Sequence, residues 1–266
     1  MNEEPAPGWD CHVHVFDTAA PALPGHYGPA TRTLNEIETV AATQGVGHLV
    51  LVQPSVYGSD HRVLLRALAT APGRHRAVAV VDADVSEAEL DTLHQAGVRG
   101  VRFNRVSPVG QHGDPTPLLR SLAPLLRERG WHVQWYLRAA ELALLPPLQD
   151  ESGLPFVLDH LAGLSQTLRA DDTAWTALAA LAAGGAWVKL SGWYRLDAAL
   201  PYGGLHKNIA HVAGLFGDRL VWGSDWPHTG QAVVPPYAAT WAPVAAALPA
   251  ALGERVRTVF PAALYG

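Results

Sequence analysis

The chain has 266 residues, of which 48% are hydrophobic and 16% charged, and its formal net charge is −5 at pH 7. This composition is typical of a globular protein with a large core, and the negative charge gives no basic surface for nucleic acid. One cysteine excludes an intrachain disulfide framework, and no run of about 18 apolar residues predicts a membrane span.

Short β-rich runs alternate with Ala- and Leu-rich stretches along the whole chain. Strands are predicted at residues 10–16, 47–53, 76–82, 98–104, 132–137, 155–160, 186–191 and 219–224. Helices are predicted between them, among others at residues 60–70, 86–95, 116–129 and 172–183. This alternation predicts right-handed βαβ units and a parallel sheet, and eight units in about 250 residues is the size of a (β/α)8 barrel.

An open, doubly wound sheet is the alternative architecture. It would be favoured by a glycine-rich turn after the first strand, and "HVHVFDTAA" contains none. We therefore predict an α/β fold of the (β/α)8 TIM-barrel type, forming one domain over residues 1–266. Long loops are expected at residues 17–32, 105–115 and 192–205, where barrel enzymes form the mouth of the active site. The N-terminus "MNEEPAPGW" does not resemble a signal peptide, so we expect a cytoplasmic protein.

Polar side chains interrupt the apolar strands mostly at their C-terminal ends. His12 and His14 are two positions apart on the first strand, so their imidazoles should share a face. His160 ends the sixth strand, and Asp225 follows the eighth. Three imidazoles and a carboxylate can bind one divalent metal ion. A single strand-end histidine more often has a structural role, but chance would not place all four residues at the same end of a barrel.

A second group of polar residues at these strand ends indicates an anionic small-molecule substrate: Arg102, Arg105, Arg195, Ser55, Tyr57 and Tyr136. Guanidinium groups bind carboxylates through paired hydrogen bonds, and hydroxyl groups add further donors. Arg102 lies inside an apolar strand, whereas Arg105 and Arg195 are equally well explained as ordinary loop residues. A pocket with several arginines suits a di- or tricarboxylate better than a neutral sugar lactone.

Seven stretches spread over nearly the whole chain carry a family resemblance: "DCHVHVFD", "LVLVQPSVYGSDHR", "AGVRGVRFN", "VLDHLAG", "VKLSGWYR", "LVWGSDWPH" and "FPAALYG". The chain resembles the amidohydrolase superfamily, in particular the branch of 2-pyrone-4,6-dicarboxylate lactonase and related sugar-lactone hydrolases. The resemblance implies a distorted (β/α)8 barrel with His12, His14, His160 and Asp225 at the active-site positions. No lysine on the fourth strand is placed for carbamylation, which argues against a bridged two-metal site.

The resemblance implies a hydrolase that opens the lactone ring of a small, carboxylate-bearing substrate by cleaving its ester bond. This reaction needs a nucleophilic water, a base, and a group that polarises the carbonyl. We predict that Asp225 is the general base and that His12, His14 and His160 polarise the carbonyl, either directly or through one metal ion.

The sequence leaves alternatives open for both the cofactor and the reaction class. The resemblance is compatible with no cofactor or with one divalent metal ion, Zn or Mn. The alternatives in function are a sugar-lactone hydrolase, a mononuclear metal-dependent decarboxylase of the same superfamily, and a binding protein for small acids. The last is disfavoured because a binding protein has no need of the predicted base, Asp225.

Overall fold

The computed structural model describes residues 7–24, 28, 30–231 and 233–266; the first six residues and part of the predicted 17–32 loop lie outside this set. The strands are β1 (Gly8–Val13), β2 (Val46–Val52), β3 (Arg76–Ala79), β4 (Val98–Asn104), β5 (His132–Tyr136), β6 (Phe156–Leu158), β7 (Trp187–Leu190) and β8 (Leu220–Trp222). Neighbouring strands pair in parallel in the order β1 to β8. The predicted eight-stranded parallel barrel is confirmed.

Helices occupy the connections between the strands and the segment after β8. They are α1 (Leu34–Ala42), α2 (Arg62–Ala69), α3 (Glu87–Ala96), α4 (Thr116–Glu128), α5 (Leu145–Ser152), α6 (Thr173–Ala183), α7 (His206–Phe216), α8 (Ala242–Ala247), α9 (Ala250–Arg257) and α10 (Val259–Tyr265). The four helices named from the sequence correspond to α2, α3, α4 and α6. Within the described residues, no helix combines the length and the apolar character needed to cross a bilayer.

The two faces of the sheet pack against different partners. On β2, Leu49 and Leu51 belong to the large apolar cluster that contains the helices. The alternating Val50 and Val52 belong to a smaller cluster with Tyr265 of α10. Because side chains alternate between the faces of a strand, the smaller cluster fills the inside of the barrel.

The barrel closes where β1 meets the segment that follows β8. The backbone N–H of Asp225 donates to the carbonyl of His12 at 2.8 Å, and the N–H of His14 donates to the carbonyl of Trp226 at 2.8 Å. A parallel bridge joins Val13 to Trp226. The closing contacts therefore lie at the C-terminal ends of the strands, within the backbone that carries the predicted site residues.

Candidate active site

The structure brings all four predicted active-site residues into one buried cluster. The ring centroids of His12 and His14 are 4.9 Å apart, and those of His12 and His160 are 4.8 Å apart. Asp225 Oδ1 lies 3.6 Å from His12 Nε2 and 3.4 Å from His14 Nε2, and its Oδ2 lies 4.0 Å from His160 Nε2. Three imidazoles therefore surround a single carboxylate.

The backbone around this cluster has an unusual conformation. His160 and Asp225 both have positive φ, at 49° and 61°, so each lies in a turn just beyond its strand and not on it. Such conformations cost on the order of 1–3 kcal/mol per non-glycine residue and concentrate at functional sites. Two glycines make room for the rings: a Cβ at Gly192 would overlap His160 Nδ1, and one at Gly223 would lie 2.5 Å from His12 Cβ.

Each of the three rings has a partner for Nδ1 on the side away from Asp225. The partner atoms are Asp159 Oδ1 at 3.2 Å for His12, the Val52 carbonyl at 2.7 Å for His14, and Ser191 Oγ at 3.0 Å for His160. The Val52 carbonyl can only accept, so Nδ1 of His14 carries a proton, and the carboxylate that faces Nδ1 of His12 favours a proton at that position too. When these rings are neutral, their Nε2 lone pairs face Asp225.

These donors fit a divalent metal ion. The ligand atoms of His12, His160 and Asp225 lie within 4.8 Å of one another. His12 Nε2 and Asp225 Oδ1 are buried and have no hydrogen-bond partner among the described residues. Imidazole nitrogens oriented by a second group on Nδ1, next to a carboxylate oxygen, are a common ligand set. These three residues would hold the ion, with His14 beside the same carboxylate oxygen.

Asp225 is ionised and its surroundings are neutral or cationic. Its Oδ2 accepts hydrogen bonds from the Tyr194 hydroxyl and, at 2.8 Å, from Arg195 Nε. Burial alone would raise the pKa of Asp225, but its contacts, above all the charge of Arg195, hold that pKa well below its usual range. Burial lowers the pKa of His12 well below its usual value and that of His160 to about 4. At neutral pH the site holds a carboxylate facing uncharged His12 and His160.

A cavity of about 120 Å³ opens next to the cluster. Its wall contains His14, Pro54, Ser55, Arg102, Asn104, Val106, Ser107, Pro108, Tyr136, Arg195 and Thr229. The guanidinium carbons of Arg102 and Arg195 lie 5.3 Å and 5.7 Å from the centre of the Tyr136 ring. The cavity can therefore present two guanidinium groups to a small anion beside Asp225.

Two of the residues that the sequence suggested for substrate binding lie elsewhere. Arg105 Nε donates to Glu141 at 2.9 Å and its Nη1 donates to the Gly113 carbonyl at 2.6 Å. The Tyr57 hydroxyl donates to the Asp17 carbonyl at 3.1 Å. Neither residue lines the cavity formed by the described part of the chain. Both side chains instead form hydrogen bonds between loops. Their acceptors lie in other segments of the chain, and the spacing of residues in the sequence does not reveal these contacts.

Sequence reasoning gave no role to several groups directly behind the site. Asp159, Gln134 and Lys189 are fully or almost fully buried, and all three interact with one another. Asp159 and Gln134 were visible as polar residues of strands, and the signal for Asp159 was its position directly before His160. Lys189 stands inside the apolar strand predicted at residues 186–191, and this was the further signal, since buried lysines need partners.

The sequence model of the Amidohydrolase family matches residues 9–266. A 2-pyrone-4,6-dicarboxylate hydrolase of Comamonas testosteroni is 32% identical over 241 residues, which cover 84% of this chain and 78% of that protein. A 4-sulfomuconolactone hydrolase of Rhizobium radiobacter is 28% identical over 231 residues, covering 85% of this chain and 77% of that protein.

A solved structure gives the same similarity in three dimensions. It is a protein of Acinetobacter baumannii, described as a probable 2-pyrone-4,6-dicarboxylic acid hydrolase and crystallised with citric acid bound. Its TM-score to this chain is 0.82 at 26% identity, and the match covers 97% of this chain and 99% of that one. The similarity therefore extends over the whole barrel and includes the segments that carry the site.

Proposed function

Since this chain belongs to the amidohydrolase family, we propose that it opens the ring of a small carboxylate-bearing lactone by hydrolysing its ester bond. The relatives named above hydrolyse a dicarboxylate pyrone and a sulfonated lactone, and both substrates are cyclic esters that carry anions. The observation that carries the proposal is a buried, ionised Asp225 next to a cavity that contains Arg102 and Arg195.

Asp225 is the general base in this proposal. Arg195 and Tyr194 bind its Oδ2, whereas its Oδ1 has no hydrogen-bond partner among the described residues and faces the imidazoles. Oδ1 can accept a proton from the attacking water and return it to the leaving alkoxide, so that one carboxylate serves both half-steps. A carboxylate held from one side keeps its orientation without losing its free oxygen.

The lactone carbonyl needs a positive partner as negative charge develops on its oxygen. A divalent ion at His12, His160 and Asp225 would supply a Lewis acid there. Among the groups of the chain itself, His14 lines the cavity and can donate through Nε2 when it carries two protons. Metal analysis together with turnover in the presence of a chelator distinguishes the two sources.

Arg102 and Arg195 bind the carboxylate of the substrate. The side chain of Arg102 is 4% exposed and that of Arg195 is 24% exposed, so both present guanidinium groups in a largely dry cavity. The citric acid bound by the Acinetobacter baumannii relative is a tricarboxylic acid and supports this substrate class. Charge-assisted hydrogen bonds to guanidinium groups are stronger than neutral ones.

The proposal is tested with a panel of acidic and neutral lactones, assayed with and without chelator on protein of known metal content. We expect turnover of the acidic lactones and far less of the neutral ones. Turnover of neutral sugar lactones alone would reject this substrate class. Release of CO2 from an unsaturated acid, with a stoichiometric metal, would instead identify a decarboxylase.

We further propose that the active protein is a single domain located in the cytoplasm. Cys11 is buried and unpaired, in keeping with a reducing compartment. Fractionation of the producing cells checks the location.

A further inference from the structure

A buried carboxylate, Asp159, lies directly behind the active-site cluster. Its Oδ1 is 3.2 Å from Nδ1 of His12; the two buried atoms are in polar contact without the alignment of a hydrogen bond, and neither has a hydrogen-bond partner among the described residues. Its Oδ2 accepts hydrogen bonds from Arg102 Nε and from Gln134 Nε2, both at 3.0 Å. Asp159 therefore touches the site histidine on one side and a cavity arginine on the other.

The orientation of Gln134 is fixed by a buried lysine. Lys189 Nζ donates to Gln134 Oε1 at 2.6 Å and to the Cys11 carbonyl at 2.8 Å, and both side chains are completely buried. A lysine ammonium can only donate, so the amide oxygen of Gln134 must face Lys189. The amide nitrogen then points at Asp159 as a donor. Along the row, Lys189 donates to Gln134 and Gln134 donates to Asp159, so that Asp159 is the acceptor at which the row ends behind His12.

Two cationic side chains lie against Asp159. Arg102 Nε is 3.0 Å from its Oδ2. Lys189 Nζ lies 3.8 Å from Asp159 Oδ1. A carboxylate held between a guanidinium and an ammonium accepts hydrogen bonds, so a proton on the ring nitrogen that faces it is favoured over a lone pair there.

The position of that proton decides whether the base is free. His12 Nε2 lies 3.6 Å from Asp225 Oδ1, the oxygen that the proposed function assigns to proton transfer. If His12 carried its proton on Nε2, it could donate to this oxygen and occupy it. With the proton on Nδ1, Nε2 presents a lone pair and Asp225 Oδ1 stays available to water or to a metal ion.

We propose that Asp159, oriented by Gln134 and Lys189, is a positioning residue that holds His12 in the Nδ1–H tautomer and so keeps Asp225 Oδ1 free. The inference rests on the proposed function for its catalytic consequence, but the tautomer itself can be measured without any substrate. Arg102 is shared between this row and the cavity, so the same guanidinium that meets the substrate also holds Asp159.

The test compares wild type with Asp159→Asn, which keeps the shape but can donate to Nδ1. Two-bond 1H–15N correlation spectra of histidine-labelled protein, dialysed against chelator, show which nitrogen of His12 carries the proton. We expect Nδ1–H in wild type and Nε2–H in the variant, with kcat on the acidic lactone reduced about ten- to hundredfold and KM little changed. A folded Asp159→Asn protein that retains Nδ1–H, or retains wild-type kcat, overturns the proposal.

A second variant covers the possibility that Asp159→Asn does not fold. Gln134→Met removes the oriented amide without changing the charge, and we expect a shifted His12 Nδ1 proton signal and a smaller fall in kcat. Unchanged signal and unchanged kcat in Gln134→Met overturn the proposal. Gln149→Met is the matched control, because this buried glutamine of α5 donates to the Gly184 carbonyl at 2.9 Å and belongs to neither the row nor the cavity wall.

The spectra also separate the two proposals from each other. If wild type hydrolyses no lactone but the tautomer changes in Asp159→Asn, the proposed function fails and the positioning of His12 by Asp159 stands. If lactones are hydrolysed and the tautomer does not change, the reverse holds.

Discussion

Asp225→Asn is the substitution that most directly tests the proposed base. The amide keeps one oxygen that can accept from Arg195 and Tyr194, as Oδ2 of Asp225 does now. Its NH2 group would then face the Nε2 atoms of His12 and His14, which lie 3.6 Å and 3.4 Å from Oδ1. The variant can therefore fold with the same local contacts, but it has no oxygen able to take a proton from water.

The expected fall in kcat follows from the loss of general-base catalysis. General-base catalysis contributes typically about 10²–10⁴ in rate, which corresponds to roughly 3–5 kcal/mol of transition-state stabilisation. We expect kcat on an acidic lactone to fall by that factor, while the inhibition constant of the ring-opened product changes only a fewfold. Thermal unfolding followed by circular dichroism verifies that the variant is folded. Turnover within threefold of wild type, from folded protein, would show that Asp225 is not the base.

Three further substitutions or conditions test other parts of the structure. Removing one cavity guanidinium, in Arg102→Met or Arg195→Met, should lower kcat/KM about ten- to hundredfold more for an acidic lactone than for a neutral one, since a charge-assisted hydrogen bond contributes about 1.5–3 kcal/mol. Arg195 also holds Asp225, so part of the loss in Arg195→Met is expected on both substrates. Equal losses on both substrates in both variants would mean that neither arginine binds the carboxylate of the substrate. Burial lowers the pKa of His132 to about 3, below the value of about 6.5 expected when unfolded, so the unfolded state binds the extra proton. The free energy of unfolding in urea should therefore fall as the pH drops from about 6.5 towards 3, less steeply in His132→Gln, and identical slopes would contradict this. Gly192→Ala should displace the ring of His160 and lower both activity and melting temperature, because Gly192 has a φ of 63° and its Cβ would overlap that ring; an unchanged crystal structure would refute the packing argument.

The barrel could be predicted from the sequence because its evidence is local. Each strand is a short apolar run, and polar residues such as His12 and Asp225 interrupt the pattern near the same end of successive strands. The exact ends of the strands could be predicted less well. β6 stops at Leu158, because the positive φ values of the turn beginning at His160 break the parallel ladder, and no glycine at those positions announces the turn.

The partners of individual side chains could not be predicted, since they depend on contacts between distant segments. Arg105 pairs with Glu141, which lies in the next βα unit, and nothing in the spacing distinguishes it from Arg195, which reaches Asp225. The same limit applies to Lys189 and Asp159. These two side chains meet across the interior of the barrel because the sheet is curved. The pattern of residues along the sequence gives no information on that curvature.

The closure of the barrel at Val13 and Trp226 has a consequence for biosynthesis. These partners are separated by about 200 residues, which a ribosome adds in roughly 10–40 s at about 5–20 residues per second. During that interval β1 has no partner on one side, and the histidines beside it have no Asp225 to face. The nascent chain therefore carries an open sheet edge, which is prone to pairing with other chains, until its last strand emerges. Assembly of the site and closure of the sheet edge therefore both depend on the segment that follows β8.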